Sequence, residues 1–220
     1  MREIPKPLKE HSLQTHDNID GWVINDHLAN GCIYVCHPEG EPENYYIFKL
    51  REPTHGGGIM PEVGILKRIE EAGGHPSFQN LVDYNNDPDR WYLVLSPVLW
   101  PHQQFFGMQE RALSKIDPMP FITDFFHALA FACSVGLDIS VFDEDHFFVK
   151  DGRPFFLGLA EENVQQEPIK KEFNMVVLYR ILDKLFRAAE YRGATRPTVV
   201  ATRDMIQYMD CKFKFEMTTD

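Results

Sequence analysis

The apolar rhythm of this chain changes near residue 100, and that change limits the folds open to it. From Gly21 to Leu99 apolar residues come in short runs: WVIN, GCIYVC, YYIFKL, NLVDY and RWYLVLSPV. The breaks between them include the Pro-, Gly- and Asn-rich HPEGEPEN, PTHGGG and NNDPD. Runs of this length, rich in Val, Ile, Tyr and Phe, read as strands, and such breaks as hairpin loops. One segment interrupts the pattern. In PEVGILKRIEEAGG, Pro61 suits a first helical turn, Val63, Leu66 and Ile69 share one stripe, and Gly73 and Gly74 supply a stop. Residues 21–98 therefore read as an antiparallel sheet with one helix inserted between its middle strands, preceded by a polar arm over residues 1–20.

After a hinge near residues 96–101 the pattern turns helical. ITDFFHALAFACSVG places Ile122, Phe125, Phe126, Leu129 and Ala130 so widely around a helix that most of its sides are buried, and Gly136 ends it. HFFV and PFFLGLA follow, joined by KDGR; Asp-Gly between two apolar runs is a strong hairpin signal. FNMVVLYRILDKLFRAAEY reads as a long helix with a heavy apolar stripe, and VATRDMIQYM as a further short one. Residues 99–220 are expected to form a mainly helical lobe.

Composition narrows the function. Of 220 residues, 22 are Lys or Arg and 33 Asp or Glu, a net charge of −11, so nucleic acid and anionic membranes are poor partners. The apolar stretches fall far short of the roughly 20 residues that span a bilayer. The first twenty residues are too polar for a secretory signal and too acidic for a transit peptide. The four cysteines, Cys32, Cys36, Cys133 and Cys211, are scattered and form no disulfide framework. A soluble intracellular protein, cytoplasmic or nuclear, is the expectation. The 17 phenylalanines, Phe125, Phe126, Phe131, Phe147, Phe148, Phe155 and Phe156 among them, supply apolar area for a core.

The order of these segments resembles a protein kinase domain. YIFKL is similar to the strand that carries the family's nucleotide-contacting lysine, here Lys49. EVGILKRI resembles the helix carrying its glutamate partner, here Glu62. HPSFQNLVDYNNDPDRWYLVLSPV resembles the strands leading to the hinge, with Leu95 at the gatekeeper position and Ser96 opening the hinge. FFHALAFACSVGL resembles the long helix before the catalytic loop, ISVFDEDHFFV lies where His-Arg-Asp-Leu-Lys-Pro-Glu-Asn-Ile-Leu-Leu is usual, and FLGLA where Asp-Phe-Gly-Leu-Ala is usual. The resemblance covers about residues 22–185 and rests on order and spacing, since no single motif is intact. It implies an α+β, bilobal, kinase-like fold with a small antiparallel N-lobe and a truncated C-lobe.

The departures bear on chemistry. Phosphoryl transfer needs a positioned hydroxyl, cradled phosphates and held Mg2+. Val141 stands where the resemblance puts the proton-accepting Asp, His146 where it puts the metal-holding Asn, and Phe156 where it puts the second metal-holding Asp. Gly158 keeps the third place of that motif. Imidazole suits Zn or Cu better than the oxygen-seeking Mg2+. In the phosphate-covering loop, matched to LANGCIYVC, the glycine places hold Ala29, Gly31 and Tyr34; a ring at Tyr34 is expected to fill the space where backbone approaches phosphate. EENVQQEP is too short for an ordinary peptide-substrate platform. Lys170 stands where the resemblance puts the Asp that braces the family's catalytic loop.

No catalytic residue, metal or cofactor is therefore expected. The resemblance implies a pseudokinase that scaffolds or allosterically regulates a protein partner, such as an active kinase or its substrate. The alternative is a divergent phosphotransferase or nucleotidyltransferase using Lys49, Glu62 and the carboxylates of Asp143, Glu144 and Asp145. Each signal has a plainer reading. Lys49 and Glu62 can persist as a structural pair, and the acidic run ending at His146 as a polar loop. Cys32, Cys36 and His37 lack a second ligand pair at zinc-finger spacing, and the two cysteines read as structural thiols in or near a strand. WPHQQFF and the edge-strand-like CKFKFEM are either partner surfaces or packing within the domain.

Overall fold

The computed structural model describes residues 13–29, 32–51, 59–87, 90–139, 142–157, 175–191, 193 and 204. The chain divides into two compact units. The first comprises residues 1–74 and 79–101, the second residues 75–78 and 102–220. The expected boundary at 98/99 lies close to this division, but the return of 75–78 to the second unit has no counterpart in the sequence reading.

Unit 1 is a curled six-stranded antiparallel sheet with one helix. Its strands are β1 (Asn18–Ile19), β2 (Trp22–Ala29), β3 (Ile33–Pro38), β4 (Tyr46–Leu50), β5 (Asn80–Asn85) and β6 (Tyr92–Ser96), in the order β1-β2-β3-β4-β6-β5. The helix α1 (Met60–Glu71) falls between β4 and β5, where Pro61 and the paired glycines place it. Gly73 and Gly74 have φ of 93° and 72°, a left-handed turn that glycine enters without steric cost. Their N–H groups donate to the carbonyls of Glu70 and Ile69, which caps the helix end. Strand β1 lies within the segment read as a polar arm. It is two residues long and pairs only with Trp22 and Val23, so no alternation was there to read.

Alternation divides the sheet into two faces. Tyr34 and Cys36 of β3, Phe48 and Leu50 of β4, and Tyr92 and Val94 of β6 join Trp22 and Ile24 in one buried cluster. Side chains across the curl fasten it. Asp20, in the β1–β2 turn, accepts hydrogen bonds from Asn85 (3.2 Å), Tyr92 Oη (3.2 Å) and Arg90 (2.5 Å). Trp22 Nε1 donates to Asp83 at 2.8 Å. These bonds join the β1–β2 hairpin to β5, β6 and Arg90 through side chains, where no ladder pairs them.

Unit 2 is built on phenylalanine. Helix α3 (Pro118–Ser134) starts at Asp117, whose carboxylate accepts from Met119 N, and buries Ile122, Phe125, Phe126 and Leu129. Its end is tied by Gly136 N–H to Cys133 O and Leu137 N–H to Ala132 O. Strands β7 (Phe147–Lys150) and β8 (Arg153–Phe156) pair with Lys150 opposite Arg153. The two-residue turn between them has positive φ at both Asp151 (52°) and Gly152 (76°), the geometry Asp-Gly favours. Helix α2 (Glu110–Leu113) and α4 (Met175–Tyr191) complete the described part. On α4 the residues Val177, Leu178, Ile181, Leu182 and Leu185 are buried, the stripe its sequence predicts. No helix among the described residues is long and apolar enough to cross a membrane.

Candidate functional site

Among the described residues of unit 1, Lys49 and Glu62 are brought together. Lys49 lies on β4 and Glu62 in the first turn of α1, and Nζ donates to both carboxylate oxygens at 2.8 Å. Glu62 is 4% exposed. A carboxylate so buried is costly unless paired, and two charge-assisted bonds from one ammonium meet that cost. Arg51 adds a second cation, its guanidinium 3.6 Å from Glu62 Oε2. The sequence reading missed Arg51, although its place two residues beyond Lys49 puts it on the same side of an extended chain.

The same alternation sets what surrounds the pair. Ile33 pairs with Lys49, and Lys49 with Leu93. One step along, Val35, Ile47 and Leu95 stand in register across β3, β4 and β6, all buried. Lys49 thus emerges beside an apolar row that includes Leu95. Tyr34 pairs with Phe48 and packs in the cluster on the opposite face, 1% exposed, its ring edge-on to His27 at 5.2 Å. The Tyr34 ring, expected to fill the space where backbone approaches phosphate, instead packs in the cluster on the face of the sheet away from Lys49. A one-residue step in a strand reverses the face, and the residue opposite Lys49 is Ile33.

Cys36 is fully buried in that cluster, and desolvation pushes its thiol up to about 12. A thiol held in its neutral form is a poor zinc ligand. Cys32 is partly buried against the same cluster. Among the described residues, no group of three or more His, Cys, Asp and Glu side chains is placed to hold a metal ion.

In unit 2, Phe156 has no exposed surface. Its ring centroid lies 5.3 Å from Phe78, 5.4 Å from Phe125, 5.5 Å from Phe142 and 5.0 Å from Phe147. The position matched to a metal-holding Asp is thus the centre of an aromatic core. The acidic run divides among separate partners. Asp143 caps a short turn, accepting from Asp145 N at 2.9 Å and lying 2.7 Å from His146 Nδ1. Glu144 pairs with Arg180, and Asp145 accepts from Gln104 at 3.2 Å. The three carboxylates do not converge on a common point by these contacts. The backbone of Ala29 ends β2. Gly31, Val141 and Gly158 lie outside the described residues, as do Lys170, EENVQQEP and CKFKFEM.

Of WPHQQFF, the Phe105–Phe106 end packs within unit 2. Phe105 is 1% exposed and stacked on Phe121 at 5.7 Å. Lys184 of α4 donates to the carbonyls of Phe105 and Phe106 and lies over both rings. Desolvation lowers the Lys184 pKa, and Glu110 opposes that shift. The long-range anchor on α4 is invisible in the local sequence.

No protein-family model matches this chain, and no curated protein matches it.

Proposed function

We propose that this chain is a catalytically inactive, protein-kinase-like domain, a pseudokinase, that acts by binding a protein partner as a scaffold or allosteric regulator. Support comes from each unit separately. Unit 1 has a curled antiparallel sheet whose helix α1 follows β4, with a lysine on the strand gripping a glutamate on the helix. That is the order and pairing the resemblance implies. Unit 2 carries the observation on which the inactive reading rests. Phe156, which the resemblance matches to a metal-holding carboxylate, is a fully buried ring. A phenyl ring offers Mg2+ no oxygen, and phosphoryl transfer draws its electrostatic stabilisation from that ion. Fold and site are separable, so a domain without the site can still present its surface.

The retained Lys49–Glu62 pair favours a second reading, a divergent phosphotransferase or nucleotidyltransferase that still holds nucleotide. Against it, Asp143, Glu144 and Asp145 are each engaged elsewhere. Thermal-shift measurements with ATP, with and without Mg2+, separate the readings, combined with transfer of label from γ-labelled ATP. The pseudokinase reading expects no Mg2+-dependent shift and no transfer to generic protein substrates. A Mg2+-dependent shift lost in Lys49→Ala, accompanied by label transfer, overturns it.

A further inference from the structure

Four residues, His75–Phe78, belong to unit 2 although the chain on both sides of them belongs to unit 1. Unit 2 holds them by backbone and ring together. Phe156 N–H donates to Ser77 O at 2.8 Å, and Phe78 forms a parallel bridge with Phe156. The Phe78 ring stacks on Phe156 at 5.3 Å and leans on Phe131 at 5.8 Å. Ser77 and Phe78 are 2% and 1% exposed. The segment therefore sits in unit 2 as a short bound peptide would, with main-chain pairing and an aromatic anchor.

His75 completes the seating. Its ring stacks on Phe131 at 5.0 Å and meets Phe78 edge-on at 5.8 Å. Its Nδ1 accepts the buried Ser77 N–H at 3.2 Å. An imidazole nitrogen accepts only while it carries no proton. Protonation at Nδ1 ends that bond, leaves Ser77 N–H without its acceptor and sets a cation near His127. The charged groups acting on His75 lie on α3, where Asp124 favours the cation and His127 opposes it. Arg153 of β8 lies 3.6 Å from the Asp124 carboxylate and weakens its pull.

We infer that His75 is a proton-sensitive latch. The neutral imidazole holds residues 75–78 on the aromatic face of unit 2, and its protonation loosens them. Burial and His127 hold the His75 pKa below the ordinary 6.5. The unfolded chain thus takes up this proton more readily than the folded one. The contribution of His75 is complete above 6.5 and is lost as the pH falls through that value toward the folded one. Carboxylates titrate lower, so the window belongs to histidine.

The test is amide hydrogen exchange on the full chain at pH 7.5 and 5.5, corrected for the intrinsic pH dependence of exchange. Ser77 and Phe156 N–H protection in the wild type is expected to fall about tenfold across this interval, a loss on the scale of one hydrogen bond. In His75→Asn, the side-chain oxygen accepts from the N–H two residues on and does not titrate. Protection there is expected to be the same at both pH values. Equal protection in the wild type at both pH values overturns the latch, and so does an equal fall in wild type and His75→Asn. Should His75→Asn fail to fold, the wild type decides alone by NMR. The midpoint of protection loss must coincide with the titration of His75, and coincidence with another histidine overturns the inference. In His127→Gln that midpoint moves upward.

Discussion

Phe156 shows how one side chain can settle a local environment. Replacing it by Asp restores the residue type the kinase resemblance expects, yet places a carboxylate among four rings 5.0 to 5.5 Å away. Burying an unpaired charge is among the most damaging single changes. Phe156→Asp is expected to lose at least about 4 kcal/mol in denaturant unfolding and to gain no phosphotransfer activity. Phe156→Leu, which keeps an apolar group, is expected to lose about 1–2 kcal/mol. Stability retained in Phe156→Asp shows that the ring is not structural. Cys36 gives a second residue-scale prediction. Burial keeps its thiol neutral up to about 12, so alkylation of the native protein at pH 8.5 is expected to spare Cys36 and to modify the part-exposed Cys32 and Cys133 first. Labelling of Cys36 at the rate seen in denaturant defeats this.

At the scale of elements, α1 explains both what was legible and what was not. Its bounds were readable because Pro61 and Gly73–Gly74 act locally, and its stripe of Val63, Leu66 and Ile69 is fully buried. The pairing of Lys49 with Glu62 was expected from the kinase resemblance and not from spacing or periodicity. The direction of Tyr34 did not follow, because a face depends on the register of β3 against its neighbours, which is not written in the residue itself. The packing of Phe105 beneath Lys184 escaped as well, since those residues are far apart in sequence and meet only in the fold. Gly64 offers a test of α1. It lies mid-helix, and a Cβ there would meet nothing within 4 Å. Gly64→Ala is expected to raise stability by about 0.5–1 kcal/mol through the restricted unfolded chain and better helix propensity. A lower unfolding midpoint in that variant means that the glycine is required by something other than local geometry.

Over the molecule, the order of segments was legible while the fastenings between distant segments were not, because residues such as Asp20 and Arg90 carry no mark of their partner. Asp20 is the case where two effects compete. Its φ of 52° is a left-handed conformation that glycine adopts at less cost, worth about 1 kcal/mol in favour of a glycine there. Its carboxylate meanwhile holds Arg90, Asn85 and Tyr92 at the join of the sheet. Hydrogen bonds to a charged group are worth about 1.5–3 kcal/mol where buried, less at this half-exposed site. Three partners outweigh one backbone preference, so Asp20→Gly is expected to be destabilised by about 1–2 kcal/mol. Tyr92 adds a pH signature to the same join. Burial first, then the charges of Asp20 and Asp83, raise its phenol above the ordinary 10.0. The contribution of the neutral phenol is complete below that value and is lost as the pH rises beyond it. Unfolding midpoints of the wild type are therefore expected to fall more steeply above pH 10 than those of Tyr92→Phe, with the difference reduced in an Asp20→Asn background. Parallel pH curves for wild type and Tyr92→Phe would show that this phenol does not help to close the curl.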